Sequence, residues 1–460
     1  MDTNTPPQSL INEYTEVYSR LPLKTQLIYG SGHVLNDVCA SMWFTYLLVF
    51  FQYVLEFDNV QTGLLLLIGQ IADAISTPFV GYNSDKSEGS CITRYGKRKT
   101  WHLIGTGCVL GAFPFIFSSC VGCSRDRDSA ELFYYSMFVI IFQFGWASVQ
   151  ISHLSLIPEL TPNERDRTKL TAVRYSFTVM SNVLVYVIAW LVLRINESSK
   201  IGPGDESKFE HVVWSVLIVG ATCTAVFQTY INEADNGAGV DVRGGQIRST
   251  IGDLFKTIEI YRIAVVYMSS RLFINLSQVF IPLYLHESLD MNASSLALVP
   301  LVMYVGSFVT SLLVETVNGV FGRSSTYTLG SFFGTIAAVW IKFGYGDDYS
   351  TYFIYVIAVI LGAAGSIVLV TSIGITTDFI GEDTHNGAFV FGVMSFTDKL
   401  SNGLAVIVIQ YFHSGISDKY FYRDVLTYIC GGSVICGAVA VLFGTCGIRR
   451  SYERIPEIVA

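Results

Sequence analysis

Leu64-Leu65-Leu66-Leu67-Ile68-Gly69-Gln70-Ile71-Ala72-Asp73 lies in an apolar run covering about residues 61–83. A helix needs about 20 such residues to cross the hydrocarbon core of a bilayer. Eleven further runs of similar kind follow the same logic, at about 26–51, 101–123, 131–157, 170–194, 211–231, 262–285, 294–318, 326–345, 351–375, 387–412 and 422–447. The composition agrees: 51% of the 460 residues are hydrophobic, mean hydropathy is +0.47, and only 14% are charged, against roughly 25% in soluble proteins. That balance excludes a disordered chain, a nucleic-acid-binding protein and an ordinary soluble enzyme. Nine scattered cysteines do not make a disulfide scaffold. The expectation is an all-α polytopic membrane protein with twelve transmembrane helices, its surface in contact with the lipid bilayer.

The widest polar break contains Asn236-Gly237, Gly239 and Gly244-Gly245, the composition of a flexible linker. It divides the chain into an N-terminal tail (1–25), a six-helix bundle (26–231), a linker (232–258), a second six-helix bundle (259–447) and a C-terminal tail (448–460). No basic segment precedes an apolar run at the start, so no cleaved signal peptide is expected. Of the 29 Lys and Arg residues, Arg174, Arg271 and Lys399 fall inside spans, and the other 26 divide eighteen to eight in favour of the side bearing both tails. By the positive-inside rule, both tails and the linker are cytosolic. The sequons at Asn196 and Asn292 then fall on the opposite side, as glycosylation requires. Tyr14, Tyr18 and Tyr452 each open a tyrosine-x-x-bulky-apolar tetrapeptide in a tail, a pattern read by sorting adaptors of lysosome-like organelles.

The two halves repeat. Glu159-Leu160, Glu164 and Ser176-Phe177 recur as Asp378-Phe379, Asp383 and Ser395-Phe396 at a constant offset of 219 residues. A duplicated six-helix unit suits a transporter that rocks two halves about a central site.

Several stretches resemble the major facilitator superfamily. Gly81-Tyr82-Asn83-Ser84-Asp85-Lys86, followed by Arg94-Tyr95-Gly96-Lys97-Arg98-Lys99, is similar to the superfamily's loop between the second and third spans, with extra residues between its two parts. Within it, Ser155-Leu156-Ile157-Pro158-Glu159-Leu160-Thr161, Tyr29-Gly30-Ser31-Gly32 and Ala72-Asp73-Ala74-Ile75 resemble the glycoside-pentoside-hexuronide cation symporters. Longer runs, Leu35 to Tyr46 and Phe142 to Ser155, resemble a narrower group of lysosomal and melanosomal transporters needed for cysteine entry into the organelle. The resemblance implies two six-helix halves in the major facilitator fold, alternating access, and a small-molecule substrate, cysteine or a related amino acid. No cofactor, metal or nucleic-acid partner is implied, and a monomer is expected.

Charges inside the spans are the candidate functional groups, because burying them in lipid is costly unless they face a cavity or a partner. Asp37, with His33 and Ser41 on its helix face, falls where the symporters contact substrate. Asp73 falls at their coupling-cation site, but the second carboxylate of that site is replaced by Thr77. A lone buried carboxylate exchanges a proton more readily than it holds sodium; the alternative is a pair with a basic group on another helix. Arg174 and Lys399 match basic positions near the symporters' sugar site, with snorkelling toward the membrane surface the alternative for Arg174. Gln150 replaces a sugar-contacting aspartate, and His153 lies along its face, either lining the cavity or packing. A zwitterion site follows as an expectation: Asp37 for an ammonium, Arg174 and Lys399 for a carboxylate, Gln150 and His153 for the side chain, and Asp73 for proton coupling. Asp398 is expected to be a cross-helix partner. Asp85, Arg98, Glu159, Arg165, Asp378 and Asp383 are expected as cytosolic gate charges that open and re-form as the halves rock. Competing readings are a sugar or lysolipid symporter, and a receptor or scaffold on a transporter fold. An enzyme is disfavoured, since the spans carry no metal-binding His pair or nucleophile–base motif.

Overall fold

The computed structural model describes residues 21–86, 95–123, 128–161, 164–194, 200–233, 257–380, 387–416 and 418–452. Tyr14, Tyr18, Asn196 and Asp383 lie outside these residues, as do the side chains of Asp85, Arg165 and Tyr452.

Among the described residues twelve long helices run in sequence. They are α1 (Leu23–Val54), α2 (Asn59–Lys86), α3 (Lys97–Ile116), α4 (Asp128–Ser155), α5 (Glu164–Arg194), α6 (Glu206–Tyr230), α7 (Ile258–Ser288), α8 (Ser295–Phe321), α9 (Arg323–Phe343), α10 (Ile354–Ile380), α11 (Gly387–Gly415) and α12 (Gly431–Tyr452). Ten of them are long and apolar enough to cross a bilayer. The other two, α3 and α9, start with basic residues and carry many Gly, Ser and Thr, which lowers their hydropathy without shortening them. Because the helices alternate in direction, α1 starts and α12 ends at the same end of the bundle, called here the tail end.

The repeat is visible in the backbone. α1 finishes in a wide π-turn, Phe50–Val54, and α7 does the same at Tyr284–Ser288. Two residues beyond each turn stands a non-glycine residue in the left-handed region, Glu56 (φ 59°) and Asp290 (φ 54°). The same unusual exit from the first helix of each half is what a duplicated unit predicts.

α1 is not continuous. It breaks between Leu23–Ser31 and Val34–Val49, at Gly32 and His33. Non-helical backbone is tolerated at membrane depth only where other groups satisfy it. His102 of α3 contacts the Gly32 carbonyl at 3.0 Å, and His153 of α4 contacts the Tyr29 carbonyl at 2.8 Å. A carbonyl only accepts, so both rings must carry their proton on Nε2. Gly32 also permits a close approach: a Cβ there would stand 2.5 Å from the Phe227 ring of α6.

Toward the far end, one buried apolar cluster takes residues from both halves, with Phe50, Phe51, Phe117 and Tyr135 meeting Phe280, Leu285 and Tyr422. Toward the tail end the core divides. Tyr29, Leu156, Leu170, Phe227 and Ile231 form one cluster within the first half, and Ile260, Ile263, Val390 and Met394 another within the second. Among the described residues, the buried core thus joins the halves toward the far end, while these two tail-end clusters each stay within one half.

Candidate transport site

α1 and α5 face each other through a ladder of polar side chains at four-residue spacing. Arg174 Nη2 donates to His33 Nε2 at 3.0 Å. Thr178 Oγ1 donates to Asp37 Oδ2 at 3.0 Å. Ser41 hydrogen-bonds Asn182, and Thr45 pairs with the Tyr186 hydroxyl at 2.7 Å. Every rung joins residues 141 apart in sequence, so the two parallel helices keep one register over four rungs. Gln278 of α7 closes the ladder from the other half, donating to Thr45 at 3.1 Å and to Tyr186 at 3.3 Å.

The first two rungs are linked along α1, because His33 Nδ1 lies 2.9 Å from Asp37 Oδ1. A guanidinium can only donate, so His33 Nε2 must be the unprotonated acceptor and Nδ1 carries the proton, close to the carboxylate but not aligned for a hydrogen bond with it. Arg174, His33 and Asp37 thus form a chain in which a neutral imidazole separates the cation from the anion. Arg174 Nε is buried with no hydrogen-bond partner. Asp37 accepts from Thr178 through Oδ2, has Oδ1 within 2.9 Å of His33 Nδ1, and is 7% exposed.

The remaining intramembrane charges pair directly. Lys399 of α11 reaches across to α2, with Nζ 2.7 Å from Asp73 Oδ1 and 2.9 Å from Thr77 Oγ1, which it donates to. Thr77 donates in turn to Asp73 Oδ1 at 3.1 Å. Arg271 of α7 meets Asp398 of α11 at 2.9 Å, and Asn402 donates to the other Asp398 oxygen at 2.6 Å. Of the three intramembrane cations, Arg174 alone has no carboxylate in contact among the described residues.

Other expected site residues take different places. His153 is fully buried, stacked on Tyr29 at 4.1 Å between ring centres and bonded to its carbonyl. It braces the break in α1 and is not placed to touch a solute, which corrects its assignment as a substrate contact. Gln150 is half-buried on the same helix. Four of the expected gate charges pair within their own halves in this arrangement. Arg98 pairs with Glu159 at 3.1 Å, and Arg323 with Asp378 at 3.1 Å. Each pair lies within one half, tying the start of its third helix to the end of its fourth, so neither bridges the halves. Glu233 adds to the first of these clasps, accepting from the Arg98 and Lys99 backbone N–H groups at 2.9 and 3.1 Å.

Polar contacts between the halves gather at the far end. Tyr53 donates to Glu287 at 2.6 Å, Asn59 meets His413 at 2.8 Å, and His286 contacts the Ile201 carbonyl at 3.2 Å. Asp290 is held by Lys200 of the first half and by Lys419 at 2.5 Å; these ammonium groups hold its pKa down to about 2. Asn292 is exposed beside this latch, and Cys120 is disulfide-bonded to Cys123 at the same end.

The sequence did not single out His33, Thr178, Asn182, Tyr186 or Glu233 as functional. The signal for the first four was present: polar residues recur every four positions at 33, 37, 41 and 45 and again at 174, 178, 182 and 186.

The family model described as MFS/sugar transport protein matches residues 28–416. Major facilitator superfamily domain-containing protein 12 of human and of horse are each 41% identical to the chain, covering 92% of it and 93% of their own length. The inward-open xylose transporter XylE from E. coli superposes with a TM-score of 0.66 at 14% identity, covering 91% of this chain and 95% of that one, a likeness of fold alone. Two six-helix halves, a core that divides toward the tail end and a charged centre are those of a membrane transporter, and the chain belongs to the major facilitator superfamily, in the group of domain-containing protein 12.

Proposed function

We propose that the protein carries cysteine or a closely related amino acid across the membrane of a lysosome- or melanosome-like organelle, by alternating access, with both tails in the cytosol. One observation carries the reading: among the described residues Arg174 has a neutral imidazole, not a carboxylate, as its partner. A cation at membrane depth without a counter-anion is equipped to take one from a solute, and a guanidinium takes a carboxylate through two hydrogen bonds. The substrate carboxylate is assigned to Arg174, and Asp37 holds His33 in place. Lys399 already occupies the Asp73–Thr77 position, where the related symporters bind a coupling cation, so transport independent of sodium fits best. Resemblance to the domain-containing protein 12 group supports cysteine and the organelle. Gln150, standing where those symporters have a carboxylate, weighs against a sugar.

Labelled cysteine uptake into proteoliposomes, with a sugar panel as control, tests this. Wild type should transport cysteine and not sugars, Arg174→Gln should reduce uptake at least tenfold, and Arg174→Lys should recover only part of it. Sugar transport, or normal cysteine uptake by Arg174→Gln at equal reconstituted amounts, would overturn the reading.

A further inference from the structure

Three histidines surround the break in α1. The rings of His33 and His153 lie 5.4 Å apart, and those of His102 and His153 6.1 Å apart. His102 and His153 serve as neutral donors to freed carbonyls, and His102 Nδ1 also faces the Gln228 amide at 2.9 Å. Neither has a carboxylate within reach among the described residues. His33 differs, because its Nδ1 faces Asp37 while its Nε2 lone pair is spent on Arg174.

We infer that His33 is the residue through which a proton is exchanged for the availability of Arg174, so that proton uptake and carboxylate binding favour each other. The inference rests on the assignment of the substrate carboxylate to Arg174. In the present arrangement Asp37, His33 and Arg174 sum to zero charge. An arriving proton adds to His33 Nε2, consuming the lone pair that Arg174 uses. The Arg174–His33 hydrogen bond is lost, two N–H groups face each other, and the imidazolium is held by Asp37 through Nδ1–H. Arg174 is then released to turn into the cavity. The cluster now carries one positive charge, which a bound carboxylate returns to zero. When the carboxylate leaves, Arg174 reclaims Nε2, and the proton departs to whichever side the cavity then opens. One proton moves with each carboxylate, and linkage requires the effect to be equal in both directions.

Few other charged or titratable groups face His33. α1 contributes Asp37 and the Tyr29 phenol, α5 contributes Arg174, α4 contributes His153, and α3 contributes His102 with Lys99 one turn nearer the tail end. α6 presents Phe227 and Gln228, which do not titrate. Asp37 is the one carboxylate in this set, and it touches His33 alone of the three rings.

Two measurements on the purified full-length protein test the inference. In the first, the ring of His33 is titrated by NMR of labelled histidine, assigned by its loss in His33→Asn, in wild type and in Arg174→Gln. Removing the guanidinium frees Nε2 and deletes a neighbouring positive charge, so His33 should bind its proton at least tenfold more tightly in Arg174→Gln. An unchanged titration would overturn the proposal whatever the substrate is. In the second, proteoliposomes carry a pH gradient and labelled cysteine. His33→Asn cannot titrate there, so a pH gradient should no longer raise cysteine uptake above the level the same variant reaches at equal pH, whatever that level is. His153→Gln should keep gradient-driven accumulation. Accumulation that survives His33→Asn would also overturn the proposal. An Arg174–His33 linkage in a protein that ignores cysteine would instead refute the proposed substrate and leave the proton–anion coupling standing.

Discussion

Asp73→Asn offers a measurement of the clasp between the halves. Lys399 Nζ lies 2.7 Å from Asp73 Oδ1, with side chains 12% and 5% exposed. At an effective dielectric constant near 20 the attraction at this distance is about 6 kcal/mol, and desolvation offsets much of it. Removing one partner of a buried pair typically costs about 3–5 kcal/mol, because the other charge stays buried. Here the lower end applies, since Lys399 keeps its bond to Thr77 and lies 5.8 Å from the Trp146 ring centre. Asp73→Asn and Lys399→Gln should each destabilise the protein by about 3 kcal/mol, while the double variant, with no charge to strand, should lie closer to wild type than either. Equilibrium unfolding in detergent, read as a double-mutant cycle, supplies the coupling energy. Strictly additive losses would refute the argument, because they would mean that the two groups do not sense each other.

Three further outcomes follow. Gly32→Ala would drive a Cβ to 2.5 Å from the Phe227 ring; a loss of about 1–3 kcal/mol is expected from such overpacking, visible as a lower melting temperature, and Phe227→Leu should restore part of it. The ammonium groups on Asp290 lower its pKa to about 2, so the stability that this latch contributes is complete above the ordinary carboxylate value near 4 and is lost only as pH falls through about 2. Asp290→Asn should therefore loosen far-end closure equally at pH 7 and pH 5, measured by distance distributions between spin labels on the two halves; a loss confined to pH 7 would contradict this. Finally, Thr77→Asp combined with Lys399→Gln replaces the tethered ammonium by a second carboxylate, and sodium should then raise the melting temperature where it does nothing to wild type.

The spans were legible because a bilayer demands long apolar runs, and the repeat was legible because both copies kept acidic residues at the same offset. The break in α1 was not. Residues 26–51 read as one continuous span, since what stabilises the break comes from His102 and His153 on other helices. Asp398 was readable as a cross-helix partner, although Arg271 had to be found in space. The pairing of the gate charges was hidden for the same reason: a sequence reports that Arg98 and Glu159 are charged and near one membrane face, but not that they meet inside one half. His153 looked like a cavity residue because polarity inside a span suggests function, and here the polarity serves a backbone carbonyl.

The ladder between α1 and α5 is also a vernier. Sliding one helix by a single turn would set Arg174 against Asp37, Thr178 against Ser41 and Asn182 against Thr45, and each of those pairs could still form a hydrogen bond. The rungs alone therefore do not choose the setting. The choice falls to steric pins at one end, where Gly30 lies so close to Phe177 and Val173 of α5 that a Cβ would come within 2.5 and 2.9 Å of them. A ring seated over a residue with no side chain is a detent, and it fixes which graduation of an otherwise repetitive scale is read.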